Sequence, residues 1–569
     1  MNSANRSTFT AKLIATALAV VSVLLFTGSV TDPVNVTKLF AIGGFAFAVL
    51  GSILNSVSFR VLNQVKIPLI TVTSFLVVSV LVLFQSKAPV SQSLYGVYGR
   101  NNGFILYMCL TLLFVASLSL VSRKDFLYVI YALLFAGIIN VAYGLWVMAF
   151  GDFIGWNNQY GNLLGTFGNP NFIGSFFGMF SSLLFATLFS RSMDKQFRIG
   201  ALALLPIVFL TIMDTKAVQG KVLFVAAGGI ALFFYVRDRF QSSYWSIAYA
   251  TAAGVCFLTA LFGTLQKGPL ANLLYKETVS LRGEYWHSGW QTGLSNPWFG
   301  AGFDSLGDWY RRSRRESALS LPGVDTVTNA AHNVYMDMFA FGGWPLFISY
   351  SALSLIVILS ILKFIRRSKK FDFIFVTLVG VWACYQLQSV ISINQVGLAI
   401  WGWITGGLII AYSSLEQNPV NGSQPNLLEK NKGRTATRTN EILSPKLFAG
   451  LLAVIGLLIS VPPLSADMKW RDAQLSQDVA KVEAILRPSY MNPLSTNKMI
   501  NVVGVFETNG FPDLAYKYAL EAIRFNPHSY ETWRTITLLS RATEQEKMDA
   551  LVQMKKLDPL NPQLKDLTR

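Results

Sequence analysis

Apolar runs long enough to cross a bilayer recur from residue 12 to residue 465 and constrain this chain more than any other feature. A run of roughly 18 apolar residues is a membrane-span candidate, and in lipid only a helix or a closed barrel satisfies its own backbone. About 13 such windows are found, at 12–30, 38–57, 68–86, 103–121, 126–149, 171–190, 199–213, 220–236, 245–266, 333–362, 372–393, 395–413 and 446–465. The predicted fold is all-α, a polytopic membrane protein with a large loop at 267–332 and a small helical domain at its C-terminal end. Only 14% of the residues are charged and 52% are hydrophobic, against about 25% charged in soluble domains. An ordinary soluble enzyme is excluded.

The charges that remain are sorted by position. Lys and Arg number 47 against 30 Asp and Glu, a formal net charge of +17. In a membrane chain such a surplus reports orientation rather than nucleic acid. With the N-terminus inside, about 21 basic residues fall in inside segments and about four (Lys38, Lys87, Arg100 and Lys216) in short outside ones. That places the chain in the cytoplasmic membrane, N-terminus cytoplasmic, with loop 267–332 outside. Arg6 and Lys12 before the first apolar run resemble a signal peptide, but no small-residue cleavage site follows, so the run reads as a first helix. Cys109, Cys256 and Cys384 each sit in an apolar run and read as buried hydrophobes.

The domain order follows. N-terminal spans occupy 1–95, a membrane core with the loop 267–332 occupies 96–415, and a polar linker occupies 416–445. A last span at 446–465 leads to an outside tail, 466–569. In the tail, Asn526-Pro527 and Asp558-Pro559 each close an apolar-periodic stretch. Their spacing of about 32 residues is close to the roughly 34 of a tetratricopeptide-type helical hairpin. An unrelated small helical domain is the other reading.

The spans carry almost no ionisable groups, which argues against a proton-coupled transporter. Polar chemistry is concentrated outside. In Arg282-Gly283-Glu284-Tyr285-Trp286-His287-Ser288-Gly289-Trp290, Arg282, Trp286 and Trp290 recur every four residues and share a helix face. The turn Asn296-Pro297-Trp298 and the glycines Gly300 and Gly302 end that helix. It reads either as an interfacial helix with aromatic anchors or as an Arg aimed at an anionic head group. Asn329-Ala330-Ala331-His332-Asn333-Val334-Tyr335 opens the tenth span. A helix N-terminus favours neutral imidazole, which can accept a proton from a hydroxyl.

These motifs resemble the core of the O-antigen ligase and polymerase superfamily, which includes bacterial protein O-oligosaccharyltransferases. The resemblance rests on Arg282 with Trp286, Asn296-Pro297, Gly300-Ala301-Gly302, Ala331-His332-Asn333 and Gly342-Gly343, with Gly168-Asn169-Pro170-Asn171 as a further element. It covers roughly residues 90–415. It implies transfer of a glycan from a polyprenyl diphosphate carrier to an acceptor outside the membrane, without metal. Carried over by motif, Arg282 binds the diphosphate and His332 activates the acceptor. Guanidinium forks match phosphate oxygens, and charge builds on the leaving group as the sugar–diphosphate bond breaks.

A second basic residue is expected. Arg100, in Tyr98-Gly99-Arg100-Asn101-Asn102-Gly103, is the best candidate, with a flanking membrane anchor as the other reading. Lys216 stands where relatives carry Ser-Arg, and is a point charge rather than a fork. Trp286, Asn169, Asn171 and Asn333 are expected to support the site, although Asn169-Pro170 also reads as a helix cap. The run Arg311-Arg312-Ser313-Arg314-Arg315 reads as a solvated charge run, with anionic lipid or glycan as the alternative.

No cofactor is expected: His287, His332, Glu284, Asp304 and Asp308 lack metal-ligand spacing, and no nucleotide-type glycine cradle is present. The expected partners are the lipid-linked donor, a glycan, lipid or protein acceptor, membrane lipids and a protein partner for the tail, with no nucleic acid. A repeat-unit polymerase is the alternative enzyme, and a lipid-linked glycan transporter is the more distant reading.

Overall fold

The computed structural model describes residues 3–54, 65–156, 158, 161–264, 267–274, 277–415, 444–476 and 478–565. The helices in the first half are α1 (Ser3–Val23), α2 (Asn35–Leu54), α3 (Lys66–Gln85), a short α4 (Val90–Tyr95), α5 (Phe104–Ser117), α6 (Arg123–Phe150), α7 (Pro170–Phe189), α8 (Lys195–Asp214), α9 (Val218–Phe240) and α10 (Ser243–Thr264). The large loop holds α11 (Ala271–Leu274), α12 (Glu277–Ser295) and α13 (Leu306–Ser313). Then come α14 (Val334–Arg367), α15 (Phe373–Ile391), α16 (Val396–Leu415) and α17 (Pro445–Leu475). The tail consists of α18 (Val479–Ala484), α19 (Thr496–Thr508), α20 (Pro512–Phe525), α21 (Tyr530–Thr537) and α22 (Glu544–Leu557).

Each apolar window of the sequence falls on one helix. Among the described residues, 10 helices are long and apolar enough to cross a membrane, namely α2, α3, α6 to α9 and α14 to α17. The apolar helices at Ser7–Val23 and Phe104–Ser117 are shorter. The chain is an all-helical, multi-pass membrane protein. The expected 416–445 linker lies outside the described residues except for Ser444 and Pro445, and so does Arg60 of the inside-loop count. Ser444 caps α17 by accepting the Leu447 N–H, with Pro445 at the first helical position.

α16 sits at the centre, buried along its whole apolar window. A helix apolar on all sides belongs there. α17 docks on α2 through glycine. A Cβ at Gly456 would lie 2.1 Å from the Gly43 carbonyl oxygen. Small residues let two backbones approach closely where lipid offers no hydrophobic drive between helices.

Two buried carboxylates near the helix ends are bonded. Asp125 accepts from the hydroxyls of Ser7 and Thr8, and Asp372 accepts from Arg123 and from Tyr412, each at 2.8 Å. Lys38 departs from its expected place among the outside loop charges. It is fully buried in α2, donating to the Val21 carbonyl, with its ammonium 4.6 Å from the Phe167 ring centroid.

One end of the bundle gathers the loops that matter for function. Asn35 donates to the Gly99 carbonyl at 2.8 Å and accepts from Gln395 at 3.3 Å. Asn102 donates to the Asn394 carbonyl at 2.7 Å. Gln92 donates to the Asp304 carbonyl at 3.1 Å.

The tail is fastened to this same end. Asp467 of α17 accepts the N–H groups of Thr31 and Asp32 at 2.8 and 2.9 Å. The arginine run of the loop corrects both of its sequence readings. Arg311 and Arg314 are buried, and Arg314 donates to both carboxylate oxygens of Asp558 at 2.8 and 2.7 Å. Arg311 reaches Asp558 at 3.3 Å and Glu531 at 2.9 Å. Both guanidinium groups also donate to the Val324 carbonyl. Arg312 donates to the His528 carbonyl at 2.6 Å. These residues form a socket for the tail.

Candidate functional site

The backbone of the site is built where α12 and α14 cross. α14 is interrupted at Gly342 and Gly343, and Gly343 takes a φ of 63°. The interruption frees carbonyls that the Gly300-Ala301-Gly302 stretch uses. Ala301 N–H donates to Ala340 and Gly302 N–H to Phe341, at 2.9 and 3.0 Å, while Trp344 N–H donates to Pro297 at 2.8 Å. A Cβ at Gly300 or at Gly343 would lie 2.2 Å from the backbone of the facing segment. The turn, the three-residue stretch and the glycine pair are thus one joint, which holds α12 against the start of α14.

On that joint α12 lays the face that carries Trp286 and Trp290. Trp290 packs on Phe339 and Trp344, with ring centroids 4.8 and 5.7 Å away. Trp286 donates its indole N–H to the His332 carbonyl at 3.4 Å. Tyr285 stacks on the His332 ring at 5.4 Å. Asn333 caps α14, its carboxamide oxygen accepting the N–H groups of Tyr335 and Met336 at 3.0 and 3.3 Å. Asp337, buried in the first turn, accepts the Ala331 N–H at 2.7 Å. Together these bonds hold His332 in a left-handed conformation, with φ 54°. Asn101 and Asp304 at the same end also have positive φ, 58° and 53°. These residue types tolerate that region better than most.

The electrostatics are unusual for an unliganded surface. Burial, then the charges of Arg100 and Arg282, push the His332 imidazole down to about 4. It is therefore neutral at physiological pH. Burial lowers the Arg282 guanidinium. In Arg100, Nη1 is buried without a hydrogen-bond partner among the described residues. Asp304 is the nearby counter-charge. Burial raises its carboxyl, opposed by Arg100 and by the N–H groups of Val97 and Asn102. An unpaired, desolvated guanidinium is costly unless something anionic completes it. Two guanidinium groups beside a neutral imidazole can hold a polyanion and accept a proton next to it.

The remaining sequence candidates lie elsewhere at this end. Asn169 caps α7 by accepting the Asn171 N–H at 2.9 Å, with Pro170 first in the helix, so its cap reading holds. Lys216 lies in the exposed turn between α8 and α9, with φ 56°. Its neighbours pack on α7, because Gln219 donates to Ser175 at 2.7 Å and Thr215 stands beside Gly174. The structure brings together Arg100, Arg282, His332, Trp286 and Asn333, and places Lys216 in the turn that packs on the start of α7, the helix Asn169 caps. Sequence reasoning missed Tyr285, Asp304 and Asp337 as members of the cluster. Asp337 carried a signal, since it lies on the turn of helix that follows the Asn333 cap.

Below the site, a groove of about 300 Å³ runs between helices, lined by Tyr350, Trp382, Tyr385 and Trp403. Tyr335, in the first turn of α14, donates to the Gln386 carboxamide oxygen at 2.6 Å and bonds the Ser354 hydroxyl at 2.9 Å, both on its wall. Among the described residues, no group of three or more His, Cys, Asp and Glu stands where it could hold a metal.

A multi-pass helical membrane protein with a basic, histidine-bearing site at one end of its bundle is the class these features define. Residues 199–351 match the family described as O-antigen ligase, so this stretch carries a domain of the O-antigen ligase superfamily. The matched stretch holds Lys216, Arg282, Trp286, His332 and Asn333, whereas Arg100, Asn169 and Asn171 lie before it. No curated protein is similar enough to the chain to count as a match.

Proposed function

We propose that this protein transfers an oligo- or polysaccharide from a polyprenyl diphosphate carrier to an acceptor at the outer face of the cytoplasmic membrane, in the ligase manner. The observation that carries the reading is the unpartnered, buried Nη1 of Arg100 close to Arg282 and His332, in a chain with an O-antigen ligase domain.

Arg100 and Arg282 hold the donor diphosphate, and the aromatic groove receives the first isoprene units of the carrier. Lys216, beside Asn169 and Asn171, meets the glycan or phosphate from the other side. His332 accepts the proton of the acceptor hydroxyl. The acceptor oxygen then attacks the anomeric carbon from the face opposite the carrier, and the bond from that carbon to the diphosphate oxygen breaks. The electron pair goes to the diphosphate, where the guanidinium forks stabilise it, and the anomeric configuration inverts. A bound polyanion also offsets the two guanidinium charges that depress His332, so the donor makes its own base stronger. Under this reading the N-terminus is cytoplasmic, and the tail is a tetratricopeptide-type module on the outer side.

The test is transfer in vitro from a defined lipid-linked donor to a candidate acceptor by the purified full chain. His332→Ala is expected to lower the rate by about 10²–10⁴, and Arg282→Lys to lower it strongly because the bidentate fork is lost. A His332→Ala protein that transfers at the wild-type rate would sink the base assignment.

A further inference from the structure

A cleft of about 450 Å³ opens between the membrane domain and the docked tail. Gln92, Asp304, Asp308 and Asn329 line it from the membrane domain, and Ser495 and Asn497 from the tail. Tyr98 and Phe525 also line it, one from each side. The cleft therefore exists only while the tail is docked.

Its position connects it to the site. Tyr98 stands two residues before Arg100 and Asn329 three before His332. Gly307 clears the space for Asn329, since a Cβ there would lie 2.4 Å from the Asn329 carboxamide oxygen. Asp308 ties both walls together, accepting from Gln92 at 3.3 Å and from Asn526 of the tail at 3.1 Å. Asn526 also donates to Thr496 at 3.1 Å, and its own carboxamide oxygen is buried without a partner among the described residues. Carboxylate, carboxamide and hydroxyl groups around two aromatic rings suit a ligand with many hydroxyls and apolar ring faces.

Resting on the glycan-transfer reading above, we infer that this cleft binds a carbohydrate chain, with the tail supplying one wall. The chain belongs either to the acceptor or to the donor, whose recognition chemistry here is the same.

The test uses the full chain in detergent and, as probe, the glycan released by mild acid from the host's lipid-linked pool. Asn497 is exposed on the cleft rim, so Asn497→Trp fills the cleft without disturbing a core. Saturation-transfer NMR titration is expected to show saturable binding by the wild type, weakened about tenfold in Asn497→Trp, equivalent to about 1.4 kcal/mol. Leu538→Trp, on an exposed face of the tail, is expected to bind like wild type. In the transfer assay, Asn497→Trp raises the acceptor KM if the acceptor chain occupies the cleft, or the donor KM if the donor chain does. Either result supports the inference. Wild-type protein that does not bind the glycan, or Asn497→Trp protein that binds it equally, overturns it. Protein that binds the glycan but transfers none contradicts the transferase reading and leaves the cleft standing.

Discussion

Two groups of arginines stand at the same end of the molecule under opposite arrangements. Arg311 and Arg314 are buried and bonded directly to carboxylates, with Asp558 carrying both and Glu531 completing Arg311, although the Nε of each is buried without a partner among the described residues. Arg282 is also desolvated, and Arg100, with Asp304 near it but bonded to no carboxylate among the described residues, keeps a buried Nη1 without a partner there. The difference separates a structural use of arginine from a reserved one. A buried guanidinium with its carboxylate fixes one piece of protein on another; one without it is completed by what binds.

Mutations can break this comparison. The largest effect is expected at the open pair, where Arg100→Gln should reduce transfer by about 10²–10³ while leaving thermal unfolding unchanged. At the closed pair the balance reverses. Asp558→Ala strands two buried guanidinium groups and should weaken tail docking by about 3–5 kcal/mol. Hydrogen exchange or limited proteolysis of residues 479–565 reads that loss. Equal exchange in mutant and wild type would remove Asp558 from the docking role.

The histidine between the open arginines supplies a pH signature. Its folded pKa of about 4 lies below the ordinary imidazole value of 6.5, so the unfolded chain takes up a proton first as pH falls. The associated stability is complete above pH 6.5 and is lost between there and about 4. His332→Gln should therefore lose less stability than wild type over that window in thermal unfolding scans. The smallest effect is expected at the frame: Asn333→Ala removes the α14 cap and should cost about 1 kcal/mol.

The parts of this comparison were unequally legible in the sequence. Apolar windows marked the helices because hydropathy is local, and Arg282 and His332 stood out through motif and spacing. The closed pair was not legible. Asp558 before Pro559 reads as the end of a helical repeat, and an arginine run reads as a solvated patch, until the tail folds back across some 240 residues of chain. Lys38 was misplaced for a related reason. A lysine near a helix end reads as a loop charge, and only tertiary packing shows the Val21 carbonyl waiting for it. Asp304 carries no motif and belongs to the site through contacts that no local pattern encodes, whereas Asp337 could be read only from its place in the turn after the Asn333 cap.

The most direct measurement is the affinity of the purified full chain for a polyprenyl diphosphate, compared between wild type, an open-pair variant and a closed-pair variant. Arg100→Gln and Arg282→Lys are expected to weaken binding by about tenfold or more, roughly the loss of one charge-assisted bond. Asp558→Asn is expected to leave it within about twofold of wild type, less than about 0.5 kcal/mol. Unchanged binding in both open-pair variants would contradict the claim that these two arginines are held open for the diphosphate.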